Sequence, residues 1–156
     1  MKLSRTSAYA ISALLQLSDY PPDKPISCRR LATLGSLPER FLLQVLRSLV
    51  VDGLLSSTRG VDGGYALARP LSEITLLQVI EAADAPITAV LPKVGSLSET
   101  AQARLSDVLE VVAADVAKRL ATVSLADLKL GTSGPMRIDL RTSIYDHYPI
   151  HTQNGE

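Results

Sequence analysis

The chain has 156 residues, 46% apolar and 21% charged, with nine glycines and nine prolines. That is the mix of one globular domain with an appended element, and it excludes a low-complexity disordered chain. No run of about eighteen uncharged apolar residues occurs, so no membrane-spanning helix is expected. Net charge is zero, but it is divided unevenly. Residues 1–70 hold nine basic and five acidic side chains, a balance of +4, and the rest hold seven and eleven, a balance of −4. A basic front on an acidic back suits a protein that meets phosphates at one end.

The start of the chain, Met1-Lys2-Leu3-Ser4-Arg5, lacks the apolar region of a secretory signal. The single cysteine, Cys28, cannot form an intramolecular disulfide. Together these features give the expectation of a cytoplasmic protein.

In chain order, residues 4–19 read as a helix, with Ala8, Ile11, Leu14 and Leu15 at helical spacing. Pro21, Pro22 and Pro25 end it. Ser27 is placed to cap a short second helix that Gly35 closes at positive φ. Ser36 and Glu39 have capping-box spacing and Pro38 suits a first turn, so a third helix is expected up to Gly53. Its apolar stripe is Leu42, Val45, Leu46 and Leu49. Arg40, Gln44 and Arg47 share another face.

Two short strands follow, 54–59 and 65–68, around a glycine-rich turn at 60–64. A short helix is expected over 75–83, capped by Thr75 or Ser72. Residues 84–96 form a linker with Pro86, Pro92 and Gly95. Ser96 and Glu99 again have capping-box spacing, which predicts a long helix with Leu105, Val108, Leu109, Val112, Val116 and Leu120 in one stripe. Residues 124–130 add one more turn, and a polar arm or tail runs from Gly131.

Three helices followed by a glycine-tipped hairpin is the order of a winged helix-turn-helix. In that arrangement the third helix enters the major groove of DNA and the hairpin reaches backbone or minor groove. The most distinctive string runs from Ser56 to Pro70. It contains Arg59-Gly60-Val61-Asp62-Gly63-Gly64-Tyr65 and is followed by Ile74-Thr75-Leu76. With Tyr9-Ala10-Ile11, Leu31-Ala32 and Phe41-Leu42-Leu43-Gln44-Val45-Leu46, it resembles the Rrf2-type transcriptional regulators over residues 1–85. The long helix matches in kind.

The resemblance implies a mainly α fold with a small β-hairpin wing and a long C-terminal dimerisation helix. It divides the chain into a DNA-binding domain at 1–83, a linker at 84–96, a dimerisation region at 97–130 and a tail at 131–156. It also implies a homodimer on double-stranded DNA with a partly palindromic operator.

 The expected mode of action is repression by occupying a promoter, with release by an effector that the sequence leaves open. DNA contacts are expected from Gln44 on the third helix and Arg59 with Gly60 at the wing. Arg40 and Arg47 join them from the helix face, and Ser4 and Arg5 from the start of the first helix. Leu43, beside Gln44, is placed to touch a thymine methyl.

Cluster-binding members of that family carry three cysteines around the start of the long helix. Residues 84–110 here hold none, so no thiolate-ligated cluster and no other cofactor is expected. We read Cys28 as a small residue at a helix start. The alternative is a redox thiol whose pKa Arg29 and Arg30 would lower. His147 and His151 stand four apart, but Pro149 between them argues against a helical zinc pair. No Ser-His-Asp pattern, P-loop or Rossmann fingerprint is present, so an enzyme is not expected. Two alternatives stay open: a winged-helix protein–protein module without DNA binding, and a regulator that senses through a cofactor not held by cysteine.

Overall fold

The computed structural model describes residues 3–88 and 97–130. Six α-helices and one two-stranded antiparallel sheet follow in the order α1 (Arg5–Leu17), α2 (Cys28–Gly35), α3 (Glu39–Val51), β1 (Leu55–Thr58), β2 (Gly64–Leu67), α4 (Leu76–Ala83), α5 (Glu99–Ala121) and α6 (Leu125–Lys129). A single 3₁₀ turn, Leu71–Glu73, joins β2 to α4. This is the winged helix-turn-helix order with a long helix appended. No helix among the described residues is long and apolar enough to cross a membrane.

Local capping explains most helix starts. The hydroxyls of Ser4, Ser27 and Thr75 accept amide hydrogen bonds from Ser7, Arg30 and Gln78. Each satisfies a donor that the first turn leaves without an intrahelical partner. Of the two caps expected for α4, Thr75 is the one used, and Gln78 closes a full capping box.

Of the two capping boxes read from spacing at Ser36 and Ser96, the first is not made. Ser36 does not cap α3. It ends α2 instead, in the left-handed conformation at φ 50° and ψ 41°. It therefore takes the positive φ expected of Gly35. Gly35 instead packs closely under α1: a Cβ there would lie 2.5 Å from Gln16 Nε2, the far end of a flexible side chain, and 3.0 Å from Leu37 Cγ. Pro38 precedes α3 without any side-chain cap. Ser96 lies outside the described residues, and Ser98 caps α5 through the Ala101 amide at 3.2 Å.

The core gathers Leu14 of α1, Leu31 of α2, all four stripe residues of α3, Leu54, Leu55, Ile74 and Val79. The inward face of α1 overlaps the expected one at Leu14, with Ile11 and Leu15 packed at its edge, but is centred elsewhere. It is Ser7, Ala10, Ala13, Leu14 and Leu17, while Ala8 is exposed. Small residues at 7, 10 and 13 let α3 and α4 pack closely against α1.

Helix α5 behaves differently, because none of its 23 residues is buried. The chain after α5 returns to the N-terminal unit. Leu125 is fully buried in the common core. The Leu76 amide donates to the Val123 carbonyl and the Leu125 amide to the Ile74 carbonyl, each at 2.8 Å. Lys129 Nζ pairs with Asp19 Oδ1 at 2.7 Å. The turn expected over 124–130 is thus tied to the same core as α1–α4. The tail from residue 131, with His147 and His151, lies outside the described residues.

Candidate nucleic-acid interface

Helix α3 spans 13 residues, about 20 Å at 1.5 Å per residue. Its four buried side chains, Leu42, Val45, Leu46 and Leu49, face the core. Arg40, Gln44, Arg47 and Val51 are exposed. At about 100° per residue these four fall within a sector of about 60° on the opposite side. The helix therefore offers a solvated cationic and amide face whose angle is fixed by its own buried stripe. Leu43 lies at the margin of that face and is half-buried.

The hairpin is held in register by Leu55 opposite Leu67 and Thr58 opposite Gly64. Gly60 adopts φ +121°, a conformation that side-chain-bearing residues rarely take. The Gly63 amide donates to the Gly60 carbonyl at 3.1 Å, which closes the tip. Arg59, Gly60 and Val61 are all exposed there. Behind the tip, the sheet gains an isolated bridge that the sequence reading missed. Ile26 and Tyr65 exchange two backbone hydrogen bonds at 2.9 Å each. That bridge ties the wing to the residue just before the cap of α2. The close approach requires glycine at 64, where a Cβ would lie 2.5 Å from the Ile26 carbonyl.

These constraints bring the helix face and the wing together. Arg47 and Arg59 line one open cleft of about 660 Å³ between the start of α2, the second half of α3 and the hairpin. Ser27, Ser57 and Thr58 contribute to the same wall, and among the described residues none with a carboxylate lines it. Two guanidinium groups with flanking hydroxyls suit phosphate oxygens.

Cys28 and Tyr65 also line the cleft. Burial first, and then Glu39, push the Cys28 thiol up from its ordinary value. Its sulfur donates to the Glu39 carbonyl at 3.7 Å. This runs opposite to the lowering expected from Arg29 and Arg30, and Arg30 instead sits over the Tyr20 ring at 5.4 Å. The Tyr65 phenol is raised by burial and by Cys28, against an opposing pull from Arg47.

At the other end of α3, Phe41 is half exposed and meets Tyr9 of α1 edge-on, with ring centroids 6.4 Å apart. Arg5 is exposed one turn before Tyr9. The Ser4 hydroxyl is already engaged, accepting from the Ser7 amide and donating to Asp84. Ser4 therefore serves the backbone of α1, while Arg5 projects into solvent.

The Rrf2 family model, described as an iron-dependent transcriptional regulator, matches residues 3–129. A protein of Mycobacterium tuberculosis named as an HTH-type transcriptional regulator is 32% identical over 138 residues, covering 84% of this chain and 83% of that protein. A Synechocystis protein named in the same way is 31% identical over 129 residues, covering 82% and 87%. Among solved structures, CymR, the global cysteine regulator of B. subtilis, is similar with a TM-score of 0.64 at 25% identity, covering 83% of this chain and 97% of that one. The T. potens IscR structure gives 0.62 at 26% identity, covering 82% and 85%.

The donor set of this chain does not fit iron held by cysteines. The chain has one cysteine, and residues 85–98 contain no Cys, His, Asp or Glu. Among the described residues, no group of three or more such side chains could hold a metal ion.

Proposed function

The chain belongs to the Rrf2 family of transcriptional regulators, and from that premise we propose that it represses transcription by binding a partly palindromic operator as a homodimer. The observation that carries this reading is the shared orientation of the α3 face and the wing, with Arg47 and Arg59 in one cleft. Helix α3 enters the major groove, which is about 12 Å wide. Gln44 reads a base edge, a bidentate contact suited to adenine and worth about 1–3 kcal/mol of discrimination. Arg40 and Arg47 engage guanine or phosphate from the same face. Arg59 and the Gly60 backbone reach the adjacent backbone or minor groove. Arg5 adds a phosphate contact from α1, and Ser4 supports it by capping that helix.

The exposed side of α5 supports the dimer. Leu105, Val108, Val111 and Val112 are each at least 39% exposed on a helix with no buried residue. A second copy packing along this stripe would bury it. In this reading residues 1–83 form the DNA-binding head, 84–96 the connection, 97–130 the dimerisation segment and 131–156 an arm. The protein then acts in the cytoplasm, where its DNA is.

Selection of bound sequences from a random duplex pool tests the proposal. A two-fold symmetric motif, lost on Gln44→Ala, supports it. Binding without sequence preference, unaffected by Gln44→Ala and Arg59→Ala, refutes it.

A further inference from the structure

Helix α1 has no acidic residue in its first turn, although the partial positive charge at a helix N-terminus is stabilised by a carboxylate. The carboxylate arrives from another element. Asp84 follows the last residue of α4, and its Oδ2 accepts hydrogen bonds from the hydroxyls of both Ser4 and Ser7. Ser7 is a fully buried polar residue in the described core. Ser4 also accepts the Ser7 amide at 2.9 Å, which completes the cap. One carboxylate therefore holds both side chains that shape the first turn of α1. Arg5 is the first residue of that turn, on the side where Tyr9 meets Phe41 of α3.

From this convergence we infer that Asp84 is a positioning residue for DNA binding. It fixes the first turn of α1 so that Arg5 meets a phosphate beside the recognition helix. The inference rests on the proposed Arg5 contact. It also carries a sign that simple charge does not. An acidic side chain near DNA repels phosphates, so deleting it as a mere charge strengthens binding. Deleting it as a positioning group weakens binding.

The test measures affinity of the full chain for a mixed-sequence DNA duplex over a range of salt concentrations. The variants are Arg5→Ala, Asp84→Ala, Asp84→Asn, Ser7→Ala and the double Arg5→Ala/Asp84→Ala. Arg5→Ala is expected to lower the slope of log affinity against log salt by about 0.9 per head. Asp84→Ala lowers it in the same direction and weakens binding about two- to fivefold. Ser7→Ala follows it, Asp84→Asn loses less because an acceptor remains, and the double variant binds no more weakly than Arg5→Ala. Thermal melts establish that each variant is folded, and Asp84→Asn is read in the same way if Asp84→Ala does not fold. Unchanged or tighter binding by folded Asp84 variants overturns the positioning role. An unchanged slope in Arg5→Ala removes the Arg5 contact itself, and the inference with it.

Discussion

Replacing Gly64 with alanine tests how the wing is held. The added methyl would sit 2.5 Å from the carbonyl carbon and oxygen of Ile26 and 2.8 Å from the Ser27 amide nitrogen. All three are backbone atoms, so no side chain can swing aside. Relief requires the hairpin and the 26–27 segment to separate by about 1 Å, since carbon contacts settle near 3.5 Å. That separation breaks the two Ile26–Tyr65 hydrogen bonds, both 2.9 Å long. At about 1 kcal/mol net for each, the loss is about 2 kcal/mol. The lower entropy of the unfolded alanine chain returns about 0.4–1 kcal/mol. A net loss of about 1–2 kcal/mol lowers Tm by about 2–8 °C in a chain of this size. The same shift moves Arg59 relative to Arg47, so DNA affinity falls at temperatures where the variant is still folded. Thermal melts followed by circular dichroism, with fluorescence anisotropy on labelled duplex, read both effects. An unchanged Tm with unchanged affinity would refute the close-approach argument. Gly60→Ala is the control, because nothing lies within 4 Å of its Cβ and its cost comes from φ alone.

Other substitutions separate core, seam, thiol and base contact. Leu125→Ala, at a fully buried position, should cost about 2–5 kcal/mol in urea unfolding; a cost below that of an exposed alanine substitution would show that α6 is not part of the core. Val108→Asp on the exposed side of α5 should leave the fold intact and shift light scattering toward monomer, and an unchanged mass would count against the seam. Alkylation of Cys28 at neutral pH should be slower than that of a free thiol, since burial and Glu39 keep it protonated. Its rate should rise as pH climbs toward the raised value, and Glu39→Gln should move that profile to lower pH. Gln44→Ala should weaken operator binding by about 1–3 kcal/mol while leaving mixed-sequence binding nearly intact; equal loss on both would assign Gln44 to the backbone.

What could be read in the sequence follows from the range of the forces involved. The stripe of α3 repeats every three to four residues, so it fixed both the buried face and the Arg40–Gln44–Arg47 face opposite. Ser4, Ser27 and Thr75 cap amides three residues ahead, a contact contained in a few letters of sequence. The glycine-rich string from 60 to 64 likewise marked the hairpin tip.

Spacing alone misled where one residue could serve two ends. Ser36 stands between α2 and α3, and the short connection uses it to finish the first helix rather than start the second. The inward face of α1 was set by how closely α3 and α4 approach its small residues, and hydrophobicity along the helix does not report that distance. Tertiary structure alone brought Asp84 to Ser4 and Ser7, Lys129 to Asp19, Ile26 to Tyr65 and Leu125 into the core. Each pairs residues about 40 to 110 positions apart, and only the packing of the whole chain brings such residues within bonding distance. The sequence by itself determined which surfaces are cationic and which are apolar; the fold decided that Arg47 and Arg59 share one cleft, because the wing is anchored to the residue before the α2 cap by a bridge that no local pattern encodes.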